Sequence, residues 1–114
     1  MKVALVVTSG VPVVGREAQA IDHARATDAF WRTAAAEGKC SEPETFWSST
    51  APTMTIVKGE AEDMQMLMAT PEAQRLVMAA PLVFQNVSWE LRWYGLDPLF
   101  SQFETAVKEM GALR

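Results

Sequence analysis

The segment Lys2 to Thr8 is β-branched and apolar on both faces, with Val3, Leu5 and Val7 alternating against Ala4 and Val6. A run this brief, bounded by Ser9-Gly10, reads as a strand, and a strand that is oily on both sides must be covered on both sides. This requirement governs how the rest of the chain can assemble. With 114 residues, 49% of them hydrophobic and 21% charged, the chain can build one core but not two ordinary domains. Residues 1–114 therefore read as a single domain, ordered nearly end to end.

The segment Gly10 to Arg16 holds two glycines and a proline among valines and reads as a structured loop with an apolar lining. From Glu17 to Glu37 helix formers dominate, and Ile21, Ala24, Asp28, Trp31 and Ala35 recur at spacings of three and four, which predicts an amphipathic helix ended by Gly38. Cys40 to Ser49 and Thr53 to Lys58 follow as a β-hairpin turning at Thr50-Ala51-Pro52, with Pro43 placing the first strand at a sheet edge. The next stretch is again helical, and Thr70-Pro71-Glu72 splits it into helices over Glu60 to Ala69 and Pro71 to Ala80, with Pro81 as the stop. Val87 to Tyr94 alternates without a fault: Val87, Trp89, Leu91 and Trp93 take one face, Ser88, Glu90, Arg92 and Tyr94 the other. After Gly95, Asp97 as cap and Pro98 at the first helical position open a last helix carrying Leu99, Phe100, Phe103, Val107 and Met110.

The order is strand, helix, strand, strand, helix, strand, terminal helix. Right-handed crossovers put both connecting helices on one side of a four-stranded antiparallel sheet, giving an α+β, ferredoxin-like βαββαβ arrangement with an extra C-terminal helix. One sheet face is then bare, and neither face is polar enough for water: Val3, Leu5 and Val7 oppose Ala4 and Val6, Val57 opposes Met54 and Ile56, Phe46 and Trp47 lie on opposite faces, and Tyr94 joins Glu90 and Arg92. A second subunit is the economical cover.

In its element order the chain resembles the dimeric α+β barrel superfamily. The stretch Gly10-Val11-Pro12-Val13-Val14-Gly15-Arg16-Glu17, the alanine-rich helix with an internal Trp31, and Gln74-Arg75-Leu76 are similar to an uncharacterised bacterial group within it. The resemblance implies a homodimer of face-to-face sheets around a cavity. Those relatives carry a longer, histidine-containing hairpin between the second and third strands; Ser48 to Pro52 is short and has no histidine.

A net charge of −4, with ten basic residues scattered along the chain, argues against nucleic acid and against an anionic membrane surface as partners. Lys2, the apolar stretch after it and Ala18-Gln19-Ala20 imitate a signal peptide, but Gly10, Pro12, Gly15, Arg16 and Glu17 interrupt the stretch, and the fold needs its strand. A lone Cys40 permits no intrachain disulfide and suits a reducing cytoplasm. It has no basic neighbour on its own strand face and reads as a semi-buried residue. His23 is the single histidine, which excludes multi-histidine metal sites; a solvent-facing position is its default reading, and Asp22 beside it points elsewhere on the helix. Gly10 to Gly15 lacks the ending of a phosphate loop. No metal and no cofactor are expected.

Glu90 and Arg92 share a strand face with Tyr94. Were that face to line a dimer cavity, Glu90 would be a desolvated general base and Arg92 a partner for a carboxylate or enolate oxygen; an ion pair at a wet rim is the plainer alternative. Glu44 shares a face with Glu42 and Phe46, and Trp47 is the tryptophan placed nearest such a cavity, so Tyr94, Trp47 and Glu44 complete the candidate ligand contacts. The functional expectation is a homodimer binding a small organic molecule in a cavity between sheet and helices or between sheets. The alternatives are a cofactor-independent monooxygenase, cyclase or isomerase acting on a small aromatic or polyketide-like substrate, or a structural or regulatory dimer with no ligand.

Overall fold

The computed structural model describes residues 1–112. It contains β1 (Lys2–Ser9), α1 (Glu17–Ala36), β2 (Glu44–Phe46), β3 (Thr53–Glu60), α2 (Ala61–Met68), α3 (Pro71–Val83), β4 (Ser88–Trp93) and α4 (Leu96–Ala112). The strands form one antiparallel sheet in the order β2-β3-β1-β4. Both crossovers skip a strand, α1 joining β1 to β2 and α2 with α3 joining β3 to β4, so the fold is ferredoxin-like, as the element order predicts.

Cross-strand register fixes the two faces. Leu5 pairs with Val57 and Leu91, and Val7 with Thr55 and Trp89; Val3, Leu5 and Val57 pack with Trp31 and Ala34 of α1 and Met64 and Leu67 of α2 as the core. Trp31 is its largest member at 1% exposed. On the other face one row runs Glu44, Ile56, Val6, Glu90 and the next Lys58, Ala4, Arg92. Ala4 and Val6 are buried even there, flanked on both sides by longer side chains. The open face thus has an apolar centre of Ala4, Val6, Ile56, Met54 and Phe46 within a charged rim.

Several local expectations are corrected. The apolar stripe of α1 is rotated by one residue: Ala20, Trp31 and Ala34 are buried with His23 and Thr27 half-buried between them, while Ile21 is exposed. β2 is three residues long. Before it Ser41 takes over the bonding, its N–H donating to Lys58 O at 2.7 Å and its Oγ accepting from Lys58 N at 2.8 Å; after it Ser48 Oγ accepts from the amides of Thr50 and Ala51, turning the chain. The 10–16 loop is structured, tied to the 83–85 segment by Gly10 N to Gln85 O and Val13 N to Val83 O, but Val11 and Val14 point outward.

Helix ends follow from their caps. Gly38, at φ 76°, supplies the left-handed residue after α1, and Thr70 Oγ1 accepts from Ala73 N with Pro71 in the first turn of α3. Pro81 does not stop α3; the helix runs on to Val83. A proline in the last turn forfeits one bond, and the turn is held by burial of Ala80 and Val83 and by Phe84 N donating to Ala80 O. α4 begins at Leu96, after Gly95 at φ 107°, so Asp97 and Pro98 lie inside its first turn and Asp97 is no cap.

α4 packs extensively on no other element. Its residues from 96 to 111 are exposed apart from half-buried Pro98, and it does not blanket the open sheet face. The radius of gyration, 17.1 Å, exceeds the roughly 13 Å of a compact chain this long. Among the described residues no helix is long and apolar enough to cross a membrane.

Candidate functional site

Two places on the fold bring chemistry-bearing residues together. The first is the open sheet face. Register puts Ser88, Glu90 and Arg92 there and sends Trp89 to the helix side. Arg92 Nη2 donates to Glu90 Oε2 at 2.8 Å, with both side chains more than half exposed. Tyr94 lies just past β4 and shares a surface depression with Lys2, Lys58 and Glu60. Glu44 occupies the same row as Glu90 but on the opposite edge strand, roughly 14 Å away across three strand spacings. Trp47 lies beyond β2, 80% exposed. Of the five residues singled out by sequence, the structure joins only Glu90 and Arg92 directly.

The second place is the space between sheet and helices. The core fills the end near Val3 and Val57; toward Ser9 the layers stay apart and enclose a cleft of about 350 Å³. Its floor includes Val7, Thr55 and Trp89 of the sheet, and its roof includes Ala20, His23 and Thr27 of α1 together with Phe84. The wall is mostly apolar with a few fixed polar groups. His23 Nε2 donates to Leu76 O at 2.8 Å, and its ring meets Phe84 edge-on at 6.0 Å; His23 is therefore a half-buried link between α1 and α3, not the solvent-facing residue expected. Thr27 Oγ1 donates to His23 O, Thr45 and Thr55 share a 3.0 Å hydroxyl bond, and Asp28 accepts from Arg32 Nε at 2.8 Å.

Trp89 also lines this cleft, and its Nε1 is the one buried side-chain nitrogen or oxygen without a hydrogen-bond partner among the described residues. Such a donor costs about 1–3 kcal/mol when left unpaired. Sequence reading missed His23 and Thr27 as site residues, although they stand at helical spacing, eight and four residues respectively, before the core residue Trp31.

Cys40 is half-buried beside the core, and burial pushes its thiol up from the ordinary range, as for an inert residue and not a nucleophile. Among the described residues no group of three or more His, Cys, Asp or Glu side chains is placed to hold a metal ion.

The fold defines the class, a ferredoxin-like α+β domain. A conserved protein of unknown function from Bacteroides thetaiotaomicron is similar to it at 22% identity and TM-score 0.61, over 82% of this chain and 97% of that one. A dimeric protein of ferredoxin-like fold from Bacteroides fragilis is similar at 7% identity and TM-score 0.59, over 82% and 96%. A proposed antibiotic biosynthesis monooxygenase from Deinococcus radiodurans is similar at 12% identity and TM-score 0.60, over 83% and 93%. These likenesses establish a shared fold, the ferredoxin-like one. They leave about a sixth of this chain without a counterpart. No protein-family model and no curated protein sequence matches the chain.

Proposed function

We propose that this single-domain chain works as a cytoplasmic homodimer that binds one small, largely apolar organic molecule in the cleft between sheet and helices. One observation carries the reading: the interlayer space is left open at the Ser9 end, at a volume within the range of small-molecule sites. Its apolar wall would supply affinity, and Thr27, Thr55 and Trp89 would orient the molecule. The bare, oily centre of the sheet and the dimeric neighbour from Bacteroides fragilis support pairing.

Titration with 2-naphthol followed by two-dimensional NMR tests the binding. Saturable shifts at Thr27, Thr55 and the Trp89 indole N–H, abolished in Thr27→Phe, are expected. Shifts confined to α4 or to the open sheet face would defeat the cleft as the site.

Catalysis without a cofactor is the second reading, and the Glu90–Arg92 pair favours it. In a face-to-face dimer these two groups would border the space between sheets, with Tyr94, Glu44 and Trp47 at its margins, Glu90 as base and Arg92 as the cation for a developing oxyanion. The monooxygenase description of the Deinococcus neighbour lends support. Once a substrate is found, unchanged turnover in Glu90→Gln would remove Glu90 from that role.

A further inference from the structure

We infer that α4 is an exchanged arm whose apolar stripe is buried against a second copy of this chain. The inference rests on the homodimer reading and assigns the dimer a contact outside the sheet. Its basis is the way α4 is turned. Toward its own body the helix presents Ser101, Gln102, Thr105, Ala106 and Glu109, which with Arg92 and Trp93 border an open crook of about 1310 Å³. Phe100, Phe103, Val107 and Met110 lie outside that crook, on the opposite side, and are between 51% and 68% exposed. Leu96 and Leu99, in the first turn of the helix, line the crook as well, so the outward stripe is these four residues. An amphipathic helix docked on its own domain would be turned the other way.

The area argues for a partner of this chain's own kind. The exposed stripe of Phe100, Phe103, Val107 and Met110 amounts to roughly 450 Å² of mostly apolar surface, as much as the largest patch of an ordinary monomer. Adding Phe46, Trp47 and Met54 raises the total to roughly 850 Å² per protomer, which matches the roughly 800 Å² that one partner gives to a stable complex. A twofold pair satisfies both arms at once, since each protomer offers the same arm and receives the other's.

The arm is also held at a definite place. Only Tyr94 and Gly95 separate it from β4, the strand that carries Glu90 and Arg92 on the open face, so an arm on the partner would be continuous with a sheet-to-sheet contact. A lipid surface fits poorly. Helices that lie in membrane interfaces are rich in Lys and Arg on the polar face, whereas Asp97, Glu104 and Glu109 of α4 outnumber Lys108.

The test places a photo-crosslinking p-benzoylphenylalanine at Phe103 in an equilibrated mixture of unlabelled and 15N-labelled full-length chains. Cross-linked peptide pairs of mixed isotope are expected. In parallel, Phe100→Ser/Phe103→Ser/Val107→Ser should keep the circular dichroism and cooperative melt of the parent domain, because α4 packs extensively on no other element of its own chain, while light scattering shows the dimer dissociation constant raised at least tenfold. A stable wild-type dimer giving only same-isotope pairs, or a triple variant that dimerises unchanged, overturns the arm and spares the homodimer. A wild-type monomer at micromolar concentration overturns both. A monomer that co-sediments through α4 with phosphatidylglycerol vesicles makes α4 a lipid contact and overturns the arm.

Discussion

His23 Nε2 lies 2.8 Å from the backbone oxygen of Leu76, so one side chain of α1 is bonded to the main chain of α3 at the roof of the cleft. A carbonyl oxygen can only accept, so Nε2 carries a proton. Imidazole 15N shifts at neutral pH should report the Nε2–H tautomer. His23→Ala should lower stability by about 1–2 kcal/mol, one hydrogen bond and some packing, or about 5–10 °C in Tm. A change below about 0.3 kcal/mol would show that the link holds nothing together.

Trp31 is the largest fully buried side chain. Its indole seals the sheet to α1, with Phe30 edge-on at 4.9 Å. Trp31→Ala should cost about 3–5 kcal/mol, read from urea unfolding, whereas Val14→Ala, at a residue almost wholly in water, should move the midpoint little.

Cys40 gives a prediction in pH. Burial raises its thiol above the ordinary range, so the folded state resists ionisation more than the unfolded chain does. The associated stability is complete below the unfolded thiol's range and is lost as pH rises through the folded value. Cys40→Ser should remove that alkaline decline, measured as ΔG of unfolding against pH from neutral upward. Alkylation by iodoacetamide should also run slower in the native protein than in urea.

Glu90 and Arg92 form an exposed pair on an edge strand. Glu90→Gln and Arg92→Gln should each change stability by under about 1 kcal/mol, and high salt should erase the difference. A loss several times larger in the dimer would mark the pair as desolvated between subunits.

The reading from sequence succeeded where a local pattern had one physical solution. Fault-free alternation over Val87 to Tyr94 leaves no option but a strand, and its odd-numbered residues do face the helices. Thr70-Pro71 and Gly38 worked as punctuation because a capping hydroxyl and a left-handed residue act within a few bonds. The α1 stripe was off by one residue, since Ile21 is the more hydrophobic choice but Ala20 is the one small enough for the layer above the cleft. Hydrophobicity ranks residues; it does not measure the gap they must fit. Pro81 and Asp97-Pro98 misled for a related reason, because a proline within one turn of a helix end costs little and does not by itself fix the boundary.

What the chain's own letters determined was element identity and order, and through right-handed crossovers the ferredoxin-like sheet with one face bare. Periodicity and capping are local, so they survive without coordinates. Which residues surround a space was decided only in three dimensions. The cleft brings together Val7, His23, Thr55, Phe84 and Trp89, from five different segments, and no spacing along a chain encodes a gap between layers. The turn of α4 was likewise invisible: the stripe from Leu99 to Met110 is plain in the sequence, but that Phe100, Phe103, Val107 and Met110 face away from their own domain depends on the path out of β4 through Gly95, because helix periodicity defines a face and only the packed body defines a direction.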